Sequence, residues 1–76
     1  LYKVSSKLDG KYSNYVQIGH NLSEFVIDFG QFYPENGEEI FHTRIITSPN
    51  YAKSFLETLQ NSVEQYEMAF GLIREQ

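Results

Sequence analysis

Apolar residues recur at helical spacing over the last third of the chain: Ala52, Leu56, Leu59, Val63, Tyr66 and Phe70. Intervals of four, three, four, three and four residues place these side chains on one face of a helix. Ser48 is suited to cap the first free N–H groups, and Pro49 suits the first turn. Gly71 can take the left-handed conformation that ends a helix, and Leu72 can then fold back onto the last turn. The pattern predicts a helix of about 22 residues, roughly 33 Å long.

The residues before this helix show the alternation that is typical of β-strands. Val16 and Ile18 alternate with polar or amphipathic neighbours, and a run of β-forming residues extends from Phe25 to Phe32. A further strand is predicted from Glu39 or Ile40 to Thr47. The Asn36-Gly37 pair between these two runs favours a tight turn, so the strands are expected to pair antiparallel.

The sequence therefore predicts an α+β fold: an antiparallel β-meander of three to four strands followed by one long C-terminal α-helix packed on one sheet face. Residues 1–13 are expected to form an N-terminal arm or a short edge strand at 1–6, and residues 14–76 a single domain. A chain of 76 residues buries a small core, and without cysteine it has no disulfide or thiolate metal site to support it. Close packing of its six Phe and six Tyr, or association with another chain, has to supply the rest.

The two faces of the predicted sheet differ in character. The first face is uniformly apolar and is expected to receive the helix: Val16, Ile18, Phe25, Ile27, Phe29, Phe41 and Ile45. The second face surrounds charged side chains with apolar ones: Val26, Asp28, Phe32, Ile40, His42, Arg44 and Ile46. A register with Asp28 opposite Arg44 gives a cross-strand ion pair and puts Gly30 opposite His42. Because this second face is too apolar for a solvated sheet, its residues are predicted to form an interface in a homodimer or homotetramer.

The charge balance limits the classes of partner. A net charge of −4 and a pI near 5.0 argue against nucleic acid and against anionic membrane surfaces, since both require a basic face. No apolar stretch is long enough to span a bilayer, and no secretory signal is visible, so the cytoplasm is the default expectation. The expected partners are further copies of the chain and, as a second option, another polypeptide.

The residues indicate no reaction chemistry and no cofactor. His20 and His42 lack the further ligands that a zinc site needs, and His20 is expected in a turn. The acidic loop from Glu35 to Glu39 lacks the alternating ligands of a calcium loop. An enzyme would instead require a polar pocket near Asp28, His42 and Arg44, so catalytic, cofactor-binding and metal residues are all predicted to be absent.

Several short segments occur together between about Lys11 and Leu72: Tyr12-Ser13-Asn14, His20, Ser23-Glu24-Phe25-Val26, Asp28-Phe29, Arg44-Ile45-Ile46, Ser48-Pro49, Ala52-Lys53, Asn61, Tyr66-Glu67 and Phe70-Gly71. In their order and spacing these segments resemble a widespread prokaryotic family of unknown function, the domain-of-unknown-function family 3467. The resemblance implies no established activity and no catalytic residues. The acidic segment from Pro34 to Glu39 departs from the family, where a basic stretch is common.

These observations predict a non-enzymatic, homo-oligomeric module for protein interaction or assembly. A meander leading into one long helix is also similar to the core of the SecB-type export chaperones, although a shared fold does not fix function. The alternative is therefore a SecB-like chaperone or an antitoxin-type protein that binds other polypeptides.

Overall fold

The computed structural model describes residues 7–75, which form three antiparallel strands followed by one helix. Strand β1 spans Tyr15–His20, β2 spans Phe25–Tyr33 and β3 spans Glu38–Thr47; they form one open sheet in the order β1-β2-β3. Helix α1 spans Pro49–Phe70. The predicted α+β class is confirmed, and every element lies close to its predicted position. The short strand predicted at 1–6 lies outside the described residues.

The contacts within the chain define two compact units. In the part that the structure describes, the first unit comprises residues 7–19 and Val26–Ile45, and so contains most of the three strands. The second unit comprises His20–Phe25 and residues 46–75, which hold the β1–β2 turn and helix α1. The single domain predicted over 14–76 stays a prediction.

Asn21 builds the turn between β1 and β2. Its side-chain oxygen accepts the backbone N–H groups of Ser23 at 2.8 Å and Glu24 at 2.9 Å, and its own N–H donates to the Glu24 carbonyl at 3.0 Å. This local network reverses the chain without help from distant residues. His20 is the last residue of β1 and not part of the turn, contrary to the prediction, and its ring stacks on Phe25 at 5.3 Å.

The turn between β2 and β3 uses the predicted Asn36-Gly37 pair. Gly37 has a φ of +71°, a conformation that glycine adopts without steric cost, and its N–H donates to the Tyr33 carbonyl at 2.9 Å. The Asn36 side chain accepts the Glu38 N–H at 2.9 Å. The same side-chain chemistry therefore closes both turns of the meander.

The ends of helix α1 carry the predicted caps. Ser48 Oγ accepts the Tyr51 N–H at 3.3 Å. Gly71 donates its N–H to the Glu67 carbonyl at 2.9 Å, but its φ of +97° and ψ of 171° differ from the left-handed helical conformation that was predicted. The expectation that Leu72 folds back onto the last turn is wrong, because this side chain is 85% exposed. The Ile73 N–H bonds to the Glu67 carboxylate at 2.9 Å instead, so a side chain and not an apolar contact closes this end.

Burial is confined to the middle strand. Among residues 7–75, Ile27 on β2 is the one buried apolar side chain, with 6% of its surface exposed. Gly30, also on β2, is buried as well. No residue of α1 is buried, and Leu59 at the centre of its apolar stripe is 50% exposed. A single chain therefore removes little of its apolar surface from water.

Candidate functional site

Asp28 and Arg44 form the ion pair predicted between β2 and β3. Arg44 Nε lies 2.7 Å from Asp28 Oδ1, and Arg44 Nη2 lies 2.8 Å from Asp28 Oδ2. The Asp28 side chain is 17% exposed and the Arg44 side chain 66%. Two parallel hydrogen bonds fix both side chains, so the pair defines the register of the two strands at this point.

The ion pair shifts the pKa of both groups. The hydrogen bond from Arg44 holds the pKa of Asp28 below its ordinary value. Desolvation acts in the opposite direction, and the positive charge of Arg44 adds to the lowering. The same hydrogen bond and charge raise the pKa of Arg44. Both groups are therefore charged throughout the physiological pH range.

Two open depressions flank this pair in the first unit. One, of about 500 Å³, is lined by Gln17, Ile18, Gly19, Val26, Asp28 and Arg44. The other, of about 310 Å³, is lined by Asp28, Phe41, His42, Thr43 and Arg44. The second contains the three polar groups that an enzyme was expected to need, but Asp28 and Arg44 are bonded to each other there.

His42 holds the segment before β1. Its Nε2 lies 3.0 Å from the Tyr12 carbonyl oxygen, and its Nδ1 lies 2.7 Å from Thr43 Oγ1. A carbonyl oxygen only accepts, so Nε2 carries a proton, whereas the Thr43 hydroxyl can donate to Nδ1 or accept from it. Both ring nitrogens are therefore engaged in structural contacts, and the contact with Tyr12 joins residues thirty positions apart.

Gly30 lies where β3 approaches β2 most closely. A Cβ at this position would overlap the Ile40 carbonyl oxygen and lie 2.8 Å from the Phe41 Cα. The predicted neighbour of Gly30 was His42, so the register shifts between Arg44 and this point. The Gly30 carbonyl also accepts the Ser13 hydroxyl at 2.8 Å and the Asn14 N–H at 3.1 Å. Only glycine allows this approach, and a lone glycine inside a predicted strand was the sequence signal for it.

Three aromatic rings gather beside this glycine. The Tyr15 ring centroid lies 6.3 Å from that of Phe32 and 5.6 Å from that of Phe41. Tyr15 on β1 and Phe41 on β3 are separated by β2, so their rings meet only on one face of the sheet. Phe41 therefore shares a face with Tyr15 and Phe32, and its predicted place on the first face is wrong.

The alternation of side chains is interrupted in β3. Phe32 and Asp28 share a face because they are four positions apart on β2. The rings of Tyr15, Phe32 and Phe41 meet on this face and Arg44 bonds to Asp28 there, although Phe41 and Arg44 are three positions apart and strict alternation would put them on opposite faces. An irregularity between these two residues, such as a β-bulge, accounts for the change of face. The predicted face of Ile40 stays a prediction.

The remaining interface candidates differ in exposure. Val26 and Asp28 are half-buried, whereas Phe32, His42 and Arg44 are exposed. Ile46, the most exposed of the apolar candidates, has 61% of its surface accessible. Apolar and charged groups are thus both available for contact with another molecule.

The described residues also bear on metal binding and on membrane insertion. Within residues 7–75, no group of three or more His, Cys, Asp or Glu side chains is placed to hold a metal ion. Over the same residues, no helix combines the length and the apolarity that crossing a membrane requires.

Comparison with known proteins gives one match. Residues 4–75 match the model of a family described as protein of unknown function (DUF3467). Neither the curated proteins nor the solved structures contain a match to the chain. The similarity to the SecB-type core therefore stays a prediction.

Proposed function

We propose that this chain, which belongs to the DUF3467 family, is a non-enzymatic, homo-oligomeric module for protein interaction or assembly. One observation carries the proposal: in the described part of the chain, Ile27 is the sole apolar side chain that is buried. A domain of this size stabilises itself by removing apolar surface from water, and without disulfides or metals it needs another source of burial. A second copy of the same chain can supply that burial by covering the exposed apolar side chains.

The second face has the composition of an interface. Exposed Phe32 and Ile46 supply apolar area, and the Asp28–Arg44 pair supplies one acid and one base that already satisfy each other. A surface that carries both signs of charge in equal number is compatible with a copy of itself across a two-fold axis. An apolar area that contains a paired charge is also more specific than a purely apolar one.

The polar groups of the chain support binding over catalysis. A general acid or base needs a side chain that is free to exchange a proton with substrate. In the depression of about 310 Å³, Asp28 is committed to Arg44, and both nitrogens of His42 are committed to Tyr12 and Thr43. These contacts hold strands and segments together.

Solution mass tests the proposal directly. Light scattering over a dilution series is expected to give a dimer or tetramer for the native chain. Ile46→Glu places a charge on the second face and is expected to dissociate the oligomer before it unfolds the chain. Leu22→Glu is the matched control, because Leu22 lies in the β1–β2 turn and is 97% exposed. A native chain that is monomeric at every concentration would refute the proposal.

The alternative is a SecB-like chaperone or an antitoxin-type protein that binds other polypeptides. The same exposed apolar residues favour it, since a protein that captures unfolded chains must keep apolar surface accessible. The two functions differ in how much apolar surface stays exposed when copies of the chain associate with one another. A native monomer whose Ile46→Glu variant loses affinity for an unfolded polypeptide would favour the alternative.

A further inference from the structure

The apolar stripe of helix α1 repeats every seven residues. One series comprises Ala52, Leu59 and Tyr66, and the other comprises Leu56, Val63 and Phe70. All six residues lie within the helix; Ala52 is half-buried and the other five are exposed. Two apolar positions in each seven-residue repeat form the seam along which two helices pack with interlocking side chains.

We infer that helix α1 pairs antiparallel with α1 of a second copy of the chain, which specifies a self-association surface for the oligomer of the proposed function and rests on that proposal. With the two-fold axis at residue 61, three contacts occur twice: Ala52 with Phe70, Leu56 with Tyr66 and Leu59 with Val63. Each contact joins one member of each series. This is the arrangement of layers in an antiparallel helix pair.

The sizes of the six side chains favour the antiparallel direction. In a parallel pair each residue would face its own copy, so two Phe70 rings and two Tyr66 rings would crowd one end. At the other end two Ala52 side chains would leave a gap. The antiparallel pair places the smallest residue against the largest at both ends, so the separation of the helices stays even along the seam.

The charges beside the seam favour the same direction. Lys53 follows Ala52 and Glu67 follows Tyr66, so both lie on the same flank of the stripe. Fourteen positions separate them, about 21 Å along the helix, and they cannot meet within one chain. In the antiparallel pair Lys53 of each copy comes within reach of Glu67 of the other. Glu67 already accepts the Ile73 N–H, and a carboxylate has room for a further donor.

A charge swap tests the pairing without altering the apolar seam. Lys53→Glu alone and Glu67→Lys alone each place two like-charged contacts in the dimer, and each is expected to raise the dissociation constant about tenfold. The double variant K53E/E67K restores opposite charges and is expected to return to within about threefold of the native value. Gln65→Lys is the matched control, because Gln65 lies two positions from Glu67 on the side of the helix away from the stripe and is exposed. Failure of the double variant to recover would overturn the inference.

Cysteine crosslinking fixes the direction and register. The native chain has no cysteine, so L59C/V63C introduces two thiols that the antiparallel pair brings face to face across the seam. Oxidation is expected to give a covalent dimer for this variant and none for L59C or V63C alone. A covalent dimer from L59C alone would show a parallel pair and overturn the inference. An oligomeric native chain with no crosslink in L59C/V63C would also overturn it while leaving the proposed function standing, whereas a monomeric native chain would refute both.

Discussion

Gly30 is a residue whose missing side chain determines how two strands approach. Its Cα lies against the backbone of Ile40 and Phe41, and backbone cannot rotate away as a side chain can. The same position lets the Tyr15, Phe32 and Phe41 rings gather on one face. The absence of a side chain at Gly30 therefore allows both the close approach of β3 to β2 and the packing of the three rings.

Gly30→Ala is expected to lower the free energy of unfolding by about 3 kcal/mol or more, because the added methyl group overlaps backbone in a packed site. Gly19→Ala is the control on β1, where a Cβ meets no atom within 4 Å. That change should be neutral or slightly stabilising, since alanine restricts the unfolded chain. Urea denaturation followed by circular dichroism measures both, and equal effects for the two variants would contradict the close approach.

The Asp28–Arg44 pair makes stability depend on pH. The pKa of Asp28 is lowered in the folded chain, so its contribution to stability is fully present above the unfolded value, near 3.9, and is lost as pH falls through the lowered pKa. Asp28→Asn should therefore reduce Tm at pH 7, and the difference from the native chain should shrink at the acid end of a scan from pH 7 to pH 2. Asp9→Asn, at an exposed aspartate, is the control. A difference that stays constant down to pH 2 would exclude the ion pair as its source.

At the scale of elements, local signals in the sequence were sufficient for the strands and the helix. Ser48 and Gly71 cap the helix where their backbone preferences predict, and Asn36-Gly37 forms the turn that its left-handed preference favours. Charge complementarity also predicted the pairing of Asp28 with Arg44. Each of these outcomes depends on the residue itself and one or two neighbours.

The predictions failed where a contact depends on residues far apart or on broken regularity. Strict alternation placed Phe41 on the wrong face, because no residue type indicates an irregularity between Phe41 and Arg44. The His42–Tyr12 hydrogen bond spans thirty positions and has no local signal. The position of a strand is thus easier to predict than the sheet face on which each of its residues lies. One extra residue in a strand moves all the side chains on one side of it to the opposite face.

For the whole molecule, the proposed oligomer would couple folding to association. If a dimer is the stable species, mass action makes Tm depend on protein concentration. We expect Tm to rise by about 4 °C for each tenfold increase in concentration. The Ile46→Glu variant should show a weaker dependence. Differential scanning calorimetry at several concentrations measures it, and a native Tm that is constant over a hundredfold range would contradict association-coupled folding.

The open sheet has a further consequence for solubility. In the described part of the chain, β1 and β3 lie at the two edges, and an unpaired edge is a template on which strands of other molecules can polymerise. Strand β3 carries Glu38 and Glu39 at its start and Arg44 near its end. Charges at these positions oppose edge-to-edge pairing with strands of other molecules, so the acidic residues at the start of β3 are expected to lower the tendency of the chain to aggregate through this edge.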